Sequence, residues 1–82
     1  MQLVAAGTTS GTVTVRDGHS AITLWKLLNT TAGSMTATFK DQSGNTEYTV
    51  TLPANNTAFV DVWTYHPAFT ASGGTISYMA FS

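Results

Sequence analysis

The sequence predicts a single all-β domain, an antiparallel β-sandwich of about seven short strands. Threonine makes up about a fifth of the 82 residues, and its β-branched side chain favours strands. Clusters of Gly, Asn, Ser and Asp separate the threonine-rich runs at short intervals, as is typical of antiparallel β proteins. No segment shows the sustained period of roughly 3.6 residues that marks an amphipathic helix.

Seven strands are expected from these runs. The length of the chain fits one domain that spans residues 1–82. They cover residues 3–6, 12–15, 21–29, 34–40, 46–52, 57–64 and 75–81. The first strand is followed by Gly-Thr-Thr-Ser-Gly, which has the composition of a flexible joint. Residues 1–11 are therefore either an ordinary strand and loop or an N-terminal arm that reaches the sheet edge of a neighbour.

The fourth and fifth strands show the clearest alternation of apolar and polar residues. The apolar members are Met35, Ala37 and Phe39 in one strand and Tyr48, Val50 and Leu52 in the next. Such alternation predicts a sheet with one buried face and one solvated face. Residues 41–45 have the composition of a hairpin loop, and Pro53 stops the fifth strand.

The third, sixth and seventh predicted strands carry apolar residues on both faces. In the third strand, Leu24 and Leu28 share a face with Lys26. Trp25 and Leu27 point the other way. Because a two-layer sandwich buries one face of each strand, one apolar set is surplus. The expected surplus residues are Trp25, Leu27, Phe59, Trp63, Met79 and Phe81. They form an exposed protein interface, cover the ends of the sandwich or pack under a loop over residues 64–74.

A second aromatic group falls at the end of the sixth predicted strand and in the following segment, which is expected to be a loop over residues 64–74. Its members are Trp63, Tyr65, His66 and Phe69. Aromatic side chains grouped in this way form a roof over the sandwich, an anchor for a protein partner or a stacking platform for sugar rings. The sequence leaves these three interpretations open.

No residue pattern predicts an enzyme. The chain has no G-x-S-x-G elbow and no pair of carboxylates on one strand face. Asp17 and His19, even with His66 as a distant third ligand, form no regular metal motif, and turn or loop roles explain them better. The sequence therefore predicts no catalytic residue, no metal and no cofactor.

Charge and cysteine content favour a protein that works in an assembly. Only 9% of residues are charged, the net charge is -1 and there is no cysteine. Three basic residues, Arg16, Lys26 and Lys40, are too few for a nucleic-acid surface. The thin core of so short a chain has no disulfide to support it, so association with other chains is the expected route to stability. We expect a homo-oligomer, a dimer or a trimer.

The composition gives no sign of a membrane partner. No apolar run approaches the length of a membrane span, and the first residues lack the basic start and apolar stretch of a signal peptide. The expected site of synthesis is the cytoplasm, which the protein would leave as part of a particle.

The chain from Ala21 onwards has a recurring rhythm of strands and turns. An apolar strand ends in Asn-Thr-Thr, an alternating strand leads into Asp-Gln-Ser-Gly-Asn, the next ends in Leu-Pro-Ala-Asn, and Gly-Gly precedes the last strand. This pattern resembles the small single-sandwich decoration or cement proteins of tailed bacteriophage capsids. Bacterial adhesion and immunoglobulin-like modules share much of it. Both immunoglobulin-like and jelly-roll topologies are open at this point.

The resemblance implies a non-enzymatic virion protein that binds and stabilises the capsid shell, with a capsid protein as partner. It assigns no role to any single residue of this chain. The alternative is a carbohydrate-binding or adhesion module of a tail or surface structure, which would use the exposed aromatic group.

Overall fold

The computed structural model describes residues 1–15, 22, 24–40, 45–55 and 57–82, and in this part it contains eight strands and no helix. The strands are β1 (Leu3–Thr9), β2 (Thr12–Thr14), β3 (Leu24–Asn29), β4 (Met35–Lys40), β5 (Thr46–Leu52), β6 (Val60–Trp63), β7 (Ala68–Ser72) and β8 (Ile76–Phe81). They form two antiparallel four-stranded sheets packed as a sandwich. The predicted fold class is confirmed, with one strand more than expected.

The strands pair as a nested ribbon. The first pairs with the last, the second with the seventh, the third with the sixth and the fourth with the fifth. Rolling this ribbon brings β8 beside β3 and β7 beside β4. The result is sheet A, in the order β1-β8-β3-β6, and sheet B, in the order β2-β7-β4-β5. Of the two topologies left open by the sequence, this order is the jelly roll.

The additional strand is β7, which lies inside the segment predicted as a loop. This strand has only five residues, Ala-Phe-Thr-Ala-Ser, and most of their side chains are small, so the sequence gives a weak strand signal. The segment forms a strand because it lies between β2 and β4 and pairs with the backbone of both. The turn from β7 to β8 uses Gly73 at a φ of 107°, a conformation that glycine adopts without steric cost.

The N-terminal segment is part of sheet A. β1 runs to Thr9, three residues beyond the predicted end, and pairs with β8 along its length. The backbones of Gln2 and Ser82 exchange two hydrogen bonds of 2.8 and 2.9 Å just before the strand. The joint predicted after the first strand becomes the crossing from sheet A to sheet B at Ser10 and Gly11.

Sheet B confirms the predicted alternation of the fourth strand and, from residue 49 to residue 52, that of the fifth. Met35, Ala37 and Phe39 are buried, and the alternate residues of β4 are half-buried on the other face. The predicted hairpin loop 41–45 lies outside the described residues except for Asn45, but the pairing of β4 with β5 that it implies is present.

Four aromatic rings form the centre of the core. Trp25 of β3 contacts Phe69 edge to face, with ring centroids 5.1 Å apart and planes at 82°. Phe39 and Tyr78 lie 6.0 and 6.2 Å from the same indole. The indole Nε1 donates a hydrogen bond of 2.9 Å to the carbonyl oxygen of His66. Trp25 thus connects sheet A to sheet B through ring packing, and its indole N–H bonds to the connection between β6 and β7.

The faces of β3 are the reverse of those predicted. Trp25 and Leu27 have no exposed surface and belong to the core. Val62 and Ala80, the cross-strand partners of Trp25, also belong to the core. The partners of Leu27, Val60 and Tyr78, pack against it. The prediction that Trp25 and Leu27 form an exposed interface is therefore wrong for this chain, because the ring cluster between the sheets takes the tryptophan inward.

Asn29 ties three segments together at one end of the sandwich. Its fully buried side chain donates from Nδ2 to the carbonyl oxygens of Gly33 and Pro53 at 3.0 and 2.9 Å. Its Oδ1 accepts the backbone N–H of Thr31 at 2.9 Å. The amide therefore satisfies backbone groups that have left the sheets at the β3–β4 connection and after β5.

The two tryptophans provide a test of the assigned faces. We expect Trp25→Ala to lower the free energy of unfolding by about 3–5 kcal/mol, because it leaves a cavity between the sheets. Trp63→Ala, at a side chain that is 64% exposed, should change it by about 0.5 kcal/mol or less. Urea denaturation measures both. Equal losses would contradict the assignment of faces in β3.

Asn29→Asp tests the buried amide. The change keeps the shape but replaces a donor by a charged acceptor that faces carbonyl oxygens, so we expect a loss of at least about 2 kcal/mol in the free energy of unfolding at neutral pH. The control is Asn55→Asp, the same change in an exposed turn at a φ of 51°, which Asp also tolerates. A loss at Asn29 no larger than that of the control would refute the role given to the amide.

Candidate docking face

The outer face of sheet A, which points away from the core, carries a row of apolar side chains across all four strands. Directly paired residues share a face, so the register of the sheet defines this row. Its members, in the order of the strands, are Leu3, Phe81, Leu24 and Trp63. We call this set the apolar row. It crosses the whole width of the sheet.

The ends of the apolar row are its most exposed part. Leu3 is 50% exposed and Trp63 is 64% exposed, while Phe81 is half-buried. Leu24 lies between the two aromatic residues and is 4% exposed. Phe59, immediately before β6, is 39% exposed. An exposed set of large apolar side chains on one face is typical of a surface that contacts a partner.

A second row beside the apolar row contains the charges of sheet A. Its members are Ala6, Met79, Lys26 and Asp61. The Lys26 Nζ donates a hydrogen bond of 2.9 Å to Asp61 Oδ1, and both side chains are partly exposed. These are the only charged residues in the four strands of sheet A, all of which the structure describes. Because the charges neutralise each other, the outer face has no net charge.

The outer face of sheet B has the opposite chemistry. A row of threonines crosses it in register through Thr12, Thr70, Thr38 and Thr49. The hydroxyl oxygens of Thr12 and Thr70 are 2.9 Å apart. This face is hydroxylated and suited to water, so the sandwich has one wet side and one apolar side.

The structure divides the six predicted interface residues into two groups. Trp63 and Phe59 are exposed, and Met79 and Phe81 are half-buried on sheet A. Trp25 and Leu27 belong to the core, as described above. Leu3 and Leu24 join the face although neither is among the predicted interface residues. The pairing of Leu24 with Phe81 and Trp63 depends on the register of the sheet, which periodicity alone does not give.

The predicted aromatic platform is also divided. Tyr65 is 66% exposed, as is typical of a residue that alternates with buried neighbours. Phe69 lies in the core, and His66 is 5% exposed, so neither is available as a stacking surface. The His66 Nδ1 is hydrogen-bonded to the Thr64 hydroxyl, and its ring stacks on Tyr65 with centroids 4.7 Å apart. The accessible part of the platform is Trp63 and Tyr65.

The described residues contain no cluster of side chains suited to a metal ion. Among them, no group of three or more His, Asp or Glu side chains is placed to hold a metal ion. Asp17 and His19, considered above as ligands, lie outside the described residues. In the same described part, no helix has the length and apolar character needed to cross a membrane.

Comparison with known proteins adds no relative. The chain matches no protein-family model, no curated protein and no solved structure. The functional argument therefore depends on the chemistry of the two outer faces.

Proposed function

We propose that this chain is a non-enzymatic structural protein of a virus particle, a decoration or cement protein that binds an assembled capsid shell. The observation that carries the proposal is the apolar row on the outer face of sheet A. Its two ends, Leu3 and Trp63, are half or more exposed, and a partner surface would remove them from water.

The arrangement of charge supports a protein partner. Burying an unpaired charge in an interface is costly, whereas Lys26 and Asp61 already form an ion pair on this face. A partner can therefore cover the outer face of sheet A without leaving a lone charge. Aromatic and methionine side chains, here Trp63, Phe81 and Met79, are enriched in such interfaces.

The fold agrees with this role without deciding it. Jelly rolls occur in viral capsid proteins and in lectins, so the topology is compatible with both a shell protein and a sugar binder. The strand rhythm resembles that of phage decoration proteins, and for this reason we propose the shell as the partner and the virion as the location. Threonines on the other outer face would then point to the solvent.

A second candidate function, carbohydrate binding, has one observation in its favour. Trp63 and Tyr65 are both about two-thirds exposed, and His66 supports one face of the Tyr65 ring. Exposed rings can stack on sugars. The aromatic surface is smaller than predicted, however, because His66 and Phe69 are buried.

Charge placed in the apolar row tests shell binding. We expect Trp63→Asp and Phe81→Asp to abolish cosedimentation with purified particles from which the protein has been removed, because each adds an unpaired charge to the contact. A lost aromatic anchor of this kind costs about 2 kcal/mol or more, which is roughly thirtyfold in affinity. The matched control is Thr49→Asp on the exposed outer face of sheet B, which should bind as the wild type does. Normal binding by all three variants would exclude sheet A as the docking face.

Tryptophan fluorescence tests the carbohydrate alternative. The chain has two tryptophans, and Trp25 is buried, so a sugar on the platform would change the emission of Trp63. The alternative predicts a saturable change with millimolar glycan that is absent in Trp63→Phe with Tyr65→Ala. The shell proposal predicts no change for the wild type across a glycan panel.

A further inference from the structure

We propose that the free edge of β1 is a self-association site, which pairs with β1 of a second copy to join two A sheets into one. β1 stands at the edge of sheet A, with β8 on one side and no strand on the other in the described part of the chain. An open strand edge offers unpaired N–H and C=O groups to another strand.

The register identifies which backbone groups are open. Gln2 and Ser82 exchange two hydrogen bonds, and hydrogen-bonded and non-hydrogen-bonded pairs alternate along an antiparallel ladder. Because β8 continues without a bulge, the residues opposite Met79 and Ser77 form non-hydrogen-bonded pairs. These residues are Ala6 and Thr8, so their N–H and C=O groups point away from β8.

The other three edges are less suited to pairing. β2 has three residues, and β6 has four, including Asp61. β5 contains Glu47 and is followed by Pro53. β1 has seven residues, none of them charged and none a proline. Charged side chains and proline are the features that usually keep a sheet edge from pairing with another chain. The irregularity between Leu3 and Ala5 limits regular pairing to residues 5–9.

A second copy of the same strand fits this edge. In a two-fold antiparallel pair centred on Gly7, Ala6 of each copy lies opposite Thr8 of the other, and the two open pairs of groups form four hydrogen bonds. A two-fold pair uses the same edge of both copies, and β1 adds no charged side chain to that contact.

The pairing would give the dimer a particular shape. Residues opposite each other across a sheet share a face, so the two outer faces would point in the same direction. A dimer would then present two apolar rows to one side. Self-association does not depend on the proposed function. A dimer that binds no particle would support self-association and contradict shell binding. A monomer that binds particles would contradict self-association and support shell binding.

Proline scanning of the edge tests the proposal. Sedimentation of the wild type over a concentration series should show the 8.7 kDa monomer converting to a dimer. Ala6→Pro removes an N–H that points outward and spares the ladder to β8, so it should weaken dimerisation at least about tenfold. Ala6→Ser keeps the N–H and is the control, expected to dimerise as the wild type does.

A second variant keeps the test decisive if the proline disturbs folding, which circular dichroism would reveal. Thr8→Lys places a charge beside its symmetry mate and should also weaken the dimer, with an unchanged thermal midpoint. A wild type that stays monomeric at every concentration overturns the proposal. So does a dimer that persists unchanged in folded Ala6→Pro or Thr8→Lys, because it must then form through another surface.

Discussion

The packing of Trp25 between the two sheets is the interaction on which the rest of the structure depends. The indole contacts rings of sheet B and bonds to the His66 carbonyl, so β3 is held with this residue inward. Side chains alternate along a strand, so the inward position of Trp25 sends Leu24 and Lys26 outward. The apolar row and the ion pair beside it are thus consequences of how one tryptophan is buried.

Sequence periodicity predicted the strands with one apolar face and failed where both faces are apolar. β4 alternates between apolar residues and threonine or lysine, so its buried face is evident. β3 has Leu24 and Leu28 on one side and Trp25 and Leu27 on the other, and periodicity cannot choose between them. The choice is made by ring packing across the sandwich, which is a property of the folded chain. The presence of Lys26 beside the two leucines was the one local signal for the correct face.

The strand β7, which the sequence did not predict, also shows that local sequence patterns do not reveal long-range pairing. β7 has few large side chains, and its place between β2 and β4 comes from long-range pairing. Without it, β2 would have no partner and the nested ribbon would be incomplete. The jelly roll therefore requires an even set of paired strands that local composition does not reveal. The candidate face was predicted in part, because Phe59, Trp63, Met79 and Phe81 were recognised as surplus, while Leu3 and Leu24 depend on register.

The central claim is that the apolar outer face of sheet A attaches this chain to a virus shell, and the copy number in particles tests it most directly. Quantitative mass spectrometry of purified particles produced by cells that express this gene gives the ratio of the chain to the major shell protein. A simple integral ratio, constant between preparations, is the result expected of a protein bound at symmetry-related positions of the shell. Absence of the chain from particles that contain the shell protein would contradict the claim.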